Sequence, residues 1–171
     1  ADSNIIQGME LIQFDTGIAI IDDSKNNLVG GNGDNYRNIV RYCNRGLNLH
    51  GLGCEFNTVE NTHVFDNANA GITLGDGASK NTIGGTADTQ TNLISNNGSY
   101  GIYLGGSGQD VKENTINNNI VGSDMTKLVA LGNNGTGIHL AGLKCFQNTV
   151  TGNLVVDNQN GVALENTANN N

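Results

Sequence analysis

Two short phrases alternate along the chain, each a run of aliphatic positions broken by one variable position. The first, glycine–aliphatic–variable–aliphatic, stands at Gly17 (GIAI), Gly46 (GLNL), Gly71 (GITL), Gly101 (GIYL), Gly137 (GIHL) and Gly161 (GVAL). The second opens on asparagine at Asn4, Asn27, Asn57, Asn81, Asn114 and Asn148. Within the first phrase Ile18, Leu47, Ile72, Ile102, Ile138 and Val162 form one row. Ile20, Leu49, Leu74, Leu104, Leu140 and Leu164 form another, and the residue between is Ala19, Asn48, Thr73, Tyr103, His139 or Ala163. A period of two with aliphatic residues on one side only describes a half-buried strand.

The spacing supplies the architecture. From a glycine phrase to the next asparagine phrase the distance is ten, eleven or thirteen residues; the return distance varies, so one corner is fixed and the other accepts insertions. The variable part holds a third strand, at Asn38, Thr62, Asn92, Asn118 and Asn153, with a blurred first copy at Leu11 and Ile12. The remaining inward rows are read as Ile6, Val29, Val59, Ile83, Ile116, Val150 and as Val40, Val64, Ile94, Ile120, Val155. One such repeat cannot bury its own apolar side, whereas stacked copies can. The pattern therefore predicts an all-β parallel β-helix of about six turns with three short strands per turn, a single domain over 1–171. Each fully buried aliphatic side chain contributes roughly 1.5–3 kcal/mol, so no large aromatic core is needed. The asparagines at the strand starts, with Asn38, Asn92, Asn118 and Asn153 as a second set, are expected to form side-chain ladders from layer to layer and to accommodate left-handed backbone.

Composition agrees. The 171 residues include 25 glycines, 30 asparagines and no proline, and only 14% are charged. Glycine and asparagine at this density serve recurrent tight turns. The formal net charge of −8 disfavours a nucleic-acid or anionic-membrane partner, and no apolar run approaches a membrane span of roughly 20 residues. Cys43, Cys54 and Cys145 are read as small buried thiols. Cys54 and Cys145 occupy equivalent positions three repeats apart, about 14 Å at the spacing of stacked strands, beyond the roughly 7 Å that a disulfide spans.

The asparagine and glycine phrases, Asn-x-Ile-Gly-Gly and the stretch IVGSDMTKLVALGNNGTGI from Ile120 to Ile138 resemble the right-handed parallel β-helix repeats of the pectate-lyase-like superfamily over about Asn4 to Leu164. The resemblance implies the fold; the superfamily spans lyases, hydrolases, epimerases, tailspikes and surface proteins without known catalysis. The catalytic patterns do not carry over. Where polygalacturonase-like members have an aspartate pair and a Gly-His-Gly, this chain has Phe14-Asp15-Thr16 and Asn44-Arg45-Gly46. Asp22 and Asp23 follow a strand and read as a solvated turn. The proline-containing arginine motif of pectate lyases is absent, although Arg41 and Arg45 are placed to reach an anionic sugar.

The expected activity is that of a non-catalytic extracellular or cell-surface module, structural or adhesive. Its ligand is an extended extracellular polysaccharide touched by the outward column Thr73, Tyr103, His139. The alternatives are a fragment of an enzyme acting on acidic polysaccharide and, on the outward column Thr58, Thr82, Thr115, Thr149, an ice-binding solenoid. His50, His63 and His139 show no metal spacing, no cofactor is expected, and calcium enters only through the dispersed loop acids Asp34, Asp66, Asp76, Asp110, Asp124 and Asp157. No amphipathic cap is apparent at either end. Ile5, Ile6, Leu11, Ile12, Val162 and Leu164 are expected to be exposed, and the chain to be either a segment of a longer solenoid or a unit that associates end to end.

Overall fold

The computed structural model describes residues 1–166 and 168–171. The chain forms a right-handed parallel β-helix of six turns, built from three sheets of six parallel strands each. The first sheet contains Ile5–Ile6, Leu28–Val29, Thr58–Val59, Thr82–Gly84, Thr115–Asn117 and Thr149–Thr151. The second contains Glu10–Ile12, Asn38–Arg41, Thr62–Phe65, Leu93–Ser95, Ile120–Val121 and Leu154–Val155. The third, with the longest strands, contains Thr16–Ile21, Arg45–His50, Ile72–Gly75, Ile102–Gly105, Thr136–Ala141 and Asn160–Glu165.

Like residues stack as the alternation requires. In the third sheet Ile18, Leu47, Ile72, Ile102, Ile138 and Val162 are register partners in turn. In the first sheet the row runs Ile6, Val29, Val59, Ile83, Ile116, Val150. The second-sheet row departs from expectation in one turn. Leu11, Val40, Val64 and Ile94 are followed by Val121, and Ile120 pairs instead with Leu93 and Leu154 on the outer side. Three consecutive asparagines, Asn117 to Asn119, precede this strand, and the left-handed turn falls on Asn118 (φ 52°). Asn119 thus takes the ladder position assigned to Asn118, and a slip of one residue exchanges the two faces of a strand.

The ladders are directional. The main-chain N–H and the side-chain Nδ2 of each asparagine both donate to Oδ1 of the asparagine one layer on: Asn27 to Asn57 at 3.0 and 2.8 Å, and Asn57 to Asn81 at 2.9 Å for both. The second Nδ2 hydrogen reaches back to a carbonyl of the preceding layer, as from Asn57 to Ser24 and from Asn81 to Cys54. These buried amides are thereby satisfied without water. Asn171 extends the first ladder by accepting from Asn148. The left-handed residue is the one before the asparagine and not the asparagine itself: Ser3, Asn26, Phe56, Lys80, Glu113, Gln147 and Asn170 all have φ between 51° and 57°. A third ladder, absent from the sequence reading, runs from the Cys43 N–H through Asn67, Asn97 and Asn133 to Asn158.

The glycines of the repeated phrase are required by packing. A Cβ on Gly46 would lie 2.3 Å from Val64 Cγ1 and 2.4 Å from the Gly71 carbonyl; one on Gly101 would lie 2.6 Å from both Val121 Cγ1 and the Gly137 carbonyl. From Gly17 to Gly137 each of these glycines turns inward at the corner between the second and third sheets, where the aliphatic row fills the space that any side chain would need; only Gly161, on the last turn, is uncrowded. The core between the sheets is continuous, and Cys43, Cys54 and Cys145 sit in it as free, buried thiols. At the ends Ile5, Ile12, Val162 and Leu164 are exposed as expected, while Ile6 and Leu11 pack partly against the core.

Candidate functional site

The outer face of the third sheet carries a groove of ≈620 Å³. Its floor lies at the strand ends, where Gly75, Gly105 and Ala141 stand in register in three successive layers. Small residues stacked in this way leave room over the strand ends, into which the Tyr103 ring and the His50 imidazole lean. One wall is made by Asn48, Thr73 and Tyr103 from the outward column, and the other by the turns that carry Asp76, Gly106, Ser107 and Gly142. Arg45 and His50 line the early end and Asn166 the late end.

The wall is held by hydrogen bonds. Thr73 Oγ1 donates to Asn48 Oδ1 at 2.7 Å. Asp76 Oδ1 accepts the amides of Ser107 and Gly108, each at 2.8 Å, and Gln109 at 3.4 Å, which ties the turn of one layer to the loop of the next. These amides hold the Asp76 carboxyl below its ordinary pKa, with a smaller contribution from His50, whose Nε2 lies 3.8 Å from Asp76 Oδ2. The Tyr103 side chain lies over Gly105, where a Cβ would sit 2.4 Å from Tyr103 Cζ, and the imidazole of His50 similarly overhangs Gly75. Burial raises the Tyr103 phenol above its usual range.

Of the three residues expected to touch a ligand, Thr73 and Tyr103 line the groove, and His139 is set behind it. The three occupy one register column. The face is not flat, however, and His139 is only 5% exposed. The Tyr100 ring reaches across from the strand start, with its centroid 4.8 Å from His139 and 5.2 Å from Tyr103 in a stacked arrangement. Glu165 Oε2 approaches His139 Nε2 to 3.3 Å. Neither Tyr100 nor the floor of small residues entered the sequence reading. The floor was legible as the residue after each Gly-x-x-Leu, which is glycine at positions 75 and 105.

The other candidate positions have structural partners. Arg41 pairs with Glu10 at 2.7 Å, while Arg45 lines the groove. Asp22 and Asp23 are exposed, with φ of 35° and 40°, and their carboxylates occupy the space that side chains on Gly51 and Gly53 would fill. Asp34 pairs with Arg37, Asp110 with Lys112 and Lys144, and Asp124 caps the amides of Leu128 and Val129. The loop acids are thus spent on turns, which leaves the calcium expectation without support. Thr58, Thr82, Thr115 and Thr149 form the outward column expected on the first sheet. On the second, the half-buried imidazole of His63 stands between the Ile39 and Leu93 register positions, and desolvation lowers its pKa to about 4 with help from Arg37.

No helix among the described residues is long and apolar enough to cross a membrane. No curated protein and no solved structure matches the chain. The family model described as "Periplasmic copper-binding protein (NosD)" matches residues 1–171, and the chain belongs to that family.

Proposed function

We propose that this member of the NosD family is a non-catalytic binding module of the cell envelope, whose third-sheet groove holds an extended carbohydrate. The observation that carries this reading is the in-register floor of Gly75, Gly105 and Ala141 beside the Tyr103 ring. Three layers span about 10 Å along the axis, room for a short stretch of a glycan chain. The apolar side of a sugar ring packs on an aromatic surface, and its hydroxyls find donors and acceptors in Asn48, Thr73 and Ser107. Location follows the family description, which names the periplasm.

The arrangement favours binding over turnover. Asp76 is the one carboxylate among the groove-lining residues, and one of its oxygens is engaged by three amides. Glycoside hydrolysis by the usual route requires two carboxyl groups, about 5–9.5 Å apart, on opposite sides of the scissile bond. The test is a glycan array followed by calorimetry on its hits, with reducing-end and unsaturated-product assays in parallel. Binding that Tyr103→Ala weakens and Thr115→Ala leaves alone supports the reading. Absence of any glycan ligand overturns it, and turnover abolished by Asp76→Asn would make the chain an enzyme.

A further inference from the structure

The family description raises copper, and the donors of this chain can be tested against it one by one. Cys54 and Cys145 share one inward position. The register through Lys25, Glu55, Ser79, Lys112 and Phe146 places Ser24, Cys54, Ala78, Val111 and Cys145 one residue earlier, in successive layers. All five are buried, Ser24 at 5% and the others at 0%. A position filled in turn by hydroxymethyl, thiol, methyl and isopropyl groups is selected for size, and the thiols there fill space. They lie three layers apart, about 14 Å, whereas the ligands of one ion each sit roughly 2 Å from it. Cys43 lies on another corner, at the start of the third asparagine ladder.

The sulfurs are engaged within the core: Asn57 Nδ2 donates to Cys54 Sγ at 3.6 Å and Asn148 Nδ2 to Cys145 Sγ at 3.5 Å. Cys54 Sγ donates to the Ile20 carbonyl at 3.4 Å and Cys43 Sγ to the Arg41 carbonyl at 3.5 Å. Burial pushes Cys54 and Cys145 up to about 11, away from the deprotonated form that binds metal. The imidazoles are equally separate. His50 stands at the groove rim, His63 on the outer side of the second sheet and His139 behind the tyrosines. Met9 and Met125 are exposed, on the first turn and on the loop after Val121. The nearest approaches to a ligand pair are His139 with Glu165 at 3.3 Å and His50 with Asp76 at 3.8 Å, each of two donors where copper takes three or more. Among the described residues no three His, Cys, Asp or Glu side chains gather into a possible site.

We infer that this chain does not itself hold copper: its sulfur ligands are core filling, its imidazoles stand apart, with His50 and His139 three layers from each other on the third sheet and His63 on the second, and the family's copper chemistry has no preformed site in this stretch of β-helix. The inference is independent of the carbohydrate reading, since it concerns the core and the isolated histidines and not the groove.

The experiment uses the whole chain. Equilibrate it with Cu(II), and separately with Cu(I) under reducing conditions, each against an equimolar competing chelator; desalt, count copper by mass spectrometry and record the unfolding temperature. The expected result is no retained copper and an unchanged transition, with the Cys54→Ala/Cys145→Ala variant and His50→Asn behaving alike. In parallel, a water-soluble thiol reagent should leave all three cysteines unmodified in the folded chain and react with three in denaturant. One copper retained per chain with a raised transition would overturn the inference, whether or not either variant abolishes it. So would thiol modification in the folded chain at the rate seen in denaturant.

Discussion

The outer faces of the first and third sheets rest on the same inward alternation and have opposite surfaces. On the first sheet Thr58, Thr82, Thr115 and Thr149 repeat one small side chain in consecutive layers, which makes an even ridge. On the third, Asn48, Thr73, Tyr103 and His139 differ in size at each step, and the strand-end column beside them falls to glycine. Stacking constrains inward residues to match, since each must fill the layer above and below, while outward residues are free to differ. Here the recess arises where a column of small residues, Gly75, Gly105 and Ala141, runs beside a column of larger ones. Any repeat solenoid carries its specificity in the positions that break the repeat.

The largest effect should come from crossing between inside and outside. Ile102→Asp places a carboxylate among aliphatic neighbours in three layers and costs several kcal/mol, enough to prevent folding, whereas Tyr103→Asp next to it should leave a native circular dichroism spectrum. Equal damage from the two would mean that the inside–outside distinction is misassigned. Next is the ladder. Asn81→Ala deletes the side-chain bonds with Asn57, Asn114 and the Cys54 carbonyl, while its main-chain N–H keeps Asn114, and strands buried partners at about 1–3 kcal/mol for each group left unpaired. Asn4→Ala, on the exposed first turn, should cost far less in a urea titration.

The second sheet adds a pH-dependent comparison. A histidine whose folded pKa is about 4, below its unfolded value near 6.5, binds fewer protons folded than unfolded in that interval. Its contribution is fully present above pH 6.5 and is lost as pH falls toward 4. Glu60, raised by burial and sharing a hydrogen bond with Gln90, works the other way, favouring the fold at the acid end of the same range. His63→Leu should therefore flatten the acid limb, gaining on the order of 1–3 kcal/mol at pH 4–5 relative to the parent and little at pH 8. An unchanged slope of unfolding temperature against pH would show that the imidazole is accessible in the folded chain.

On the third sheet Tyr103→Ala should weaken glycan binding about tenfold, or about 1.4 kcal/mol, with stability nearly unchanged, because a half-buried ring is lost from a wall. Thr115→Ala on the first sheet should change neither quantity. The smallest signal concerns the ends, where Ile5, Val162 and Leu164 lie open. We expect light scattering to rise with concentration through end-to-end pairing, and a size constant up to high concentration would sink that expectation.

Alternation and spacing by themselves determined the three strands per turn, the inward rows of the first and third sheets and the first asparagine ladder, because stacking forces the same residue type at the same position in every layer. The second ladder was readable except at Asn117 to Asn119, where three identical residues leave the register undetermined and the left-handed turn at Asn118 decides it. The third ladder was legible as an asparagine three or four residues ahead of the glycine phrase, at Asn67, Asn97, Asn133 and Asn158, but the row opens on Cys43 in place of an asparagine, and the sequence pattern was not read that far. Thr73 and Tyr103 could be placed on the outer face from sequence, as period two leaves them nowhere else. That Tyr100 folds over His139 while Gly75, Gly105 and Ala141 leave room for Tyr103 and His50 to lean over the strand ends was decided only in the tertiary structure. Side chains in different layers meet through stacking, and which of them lean together depends on the size of each neighbour one turn away.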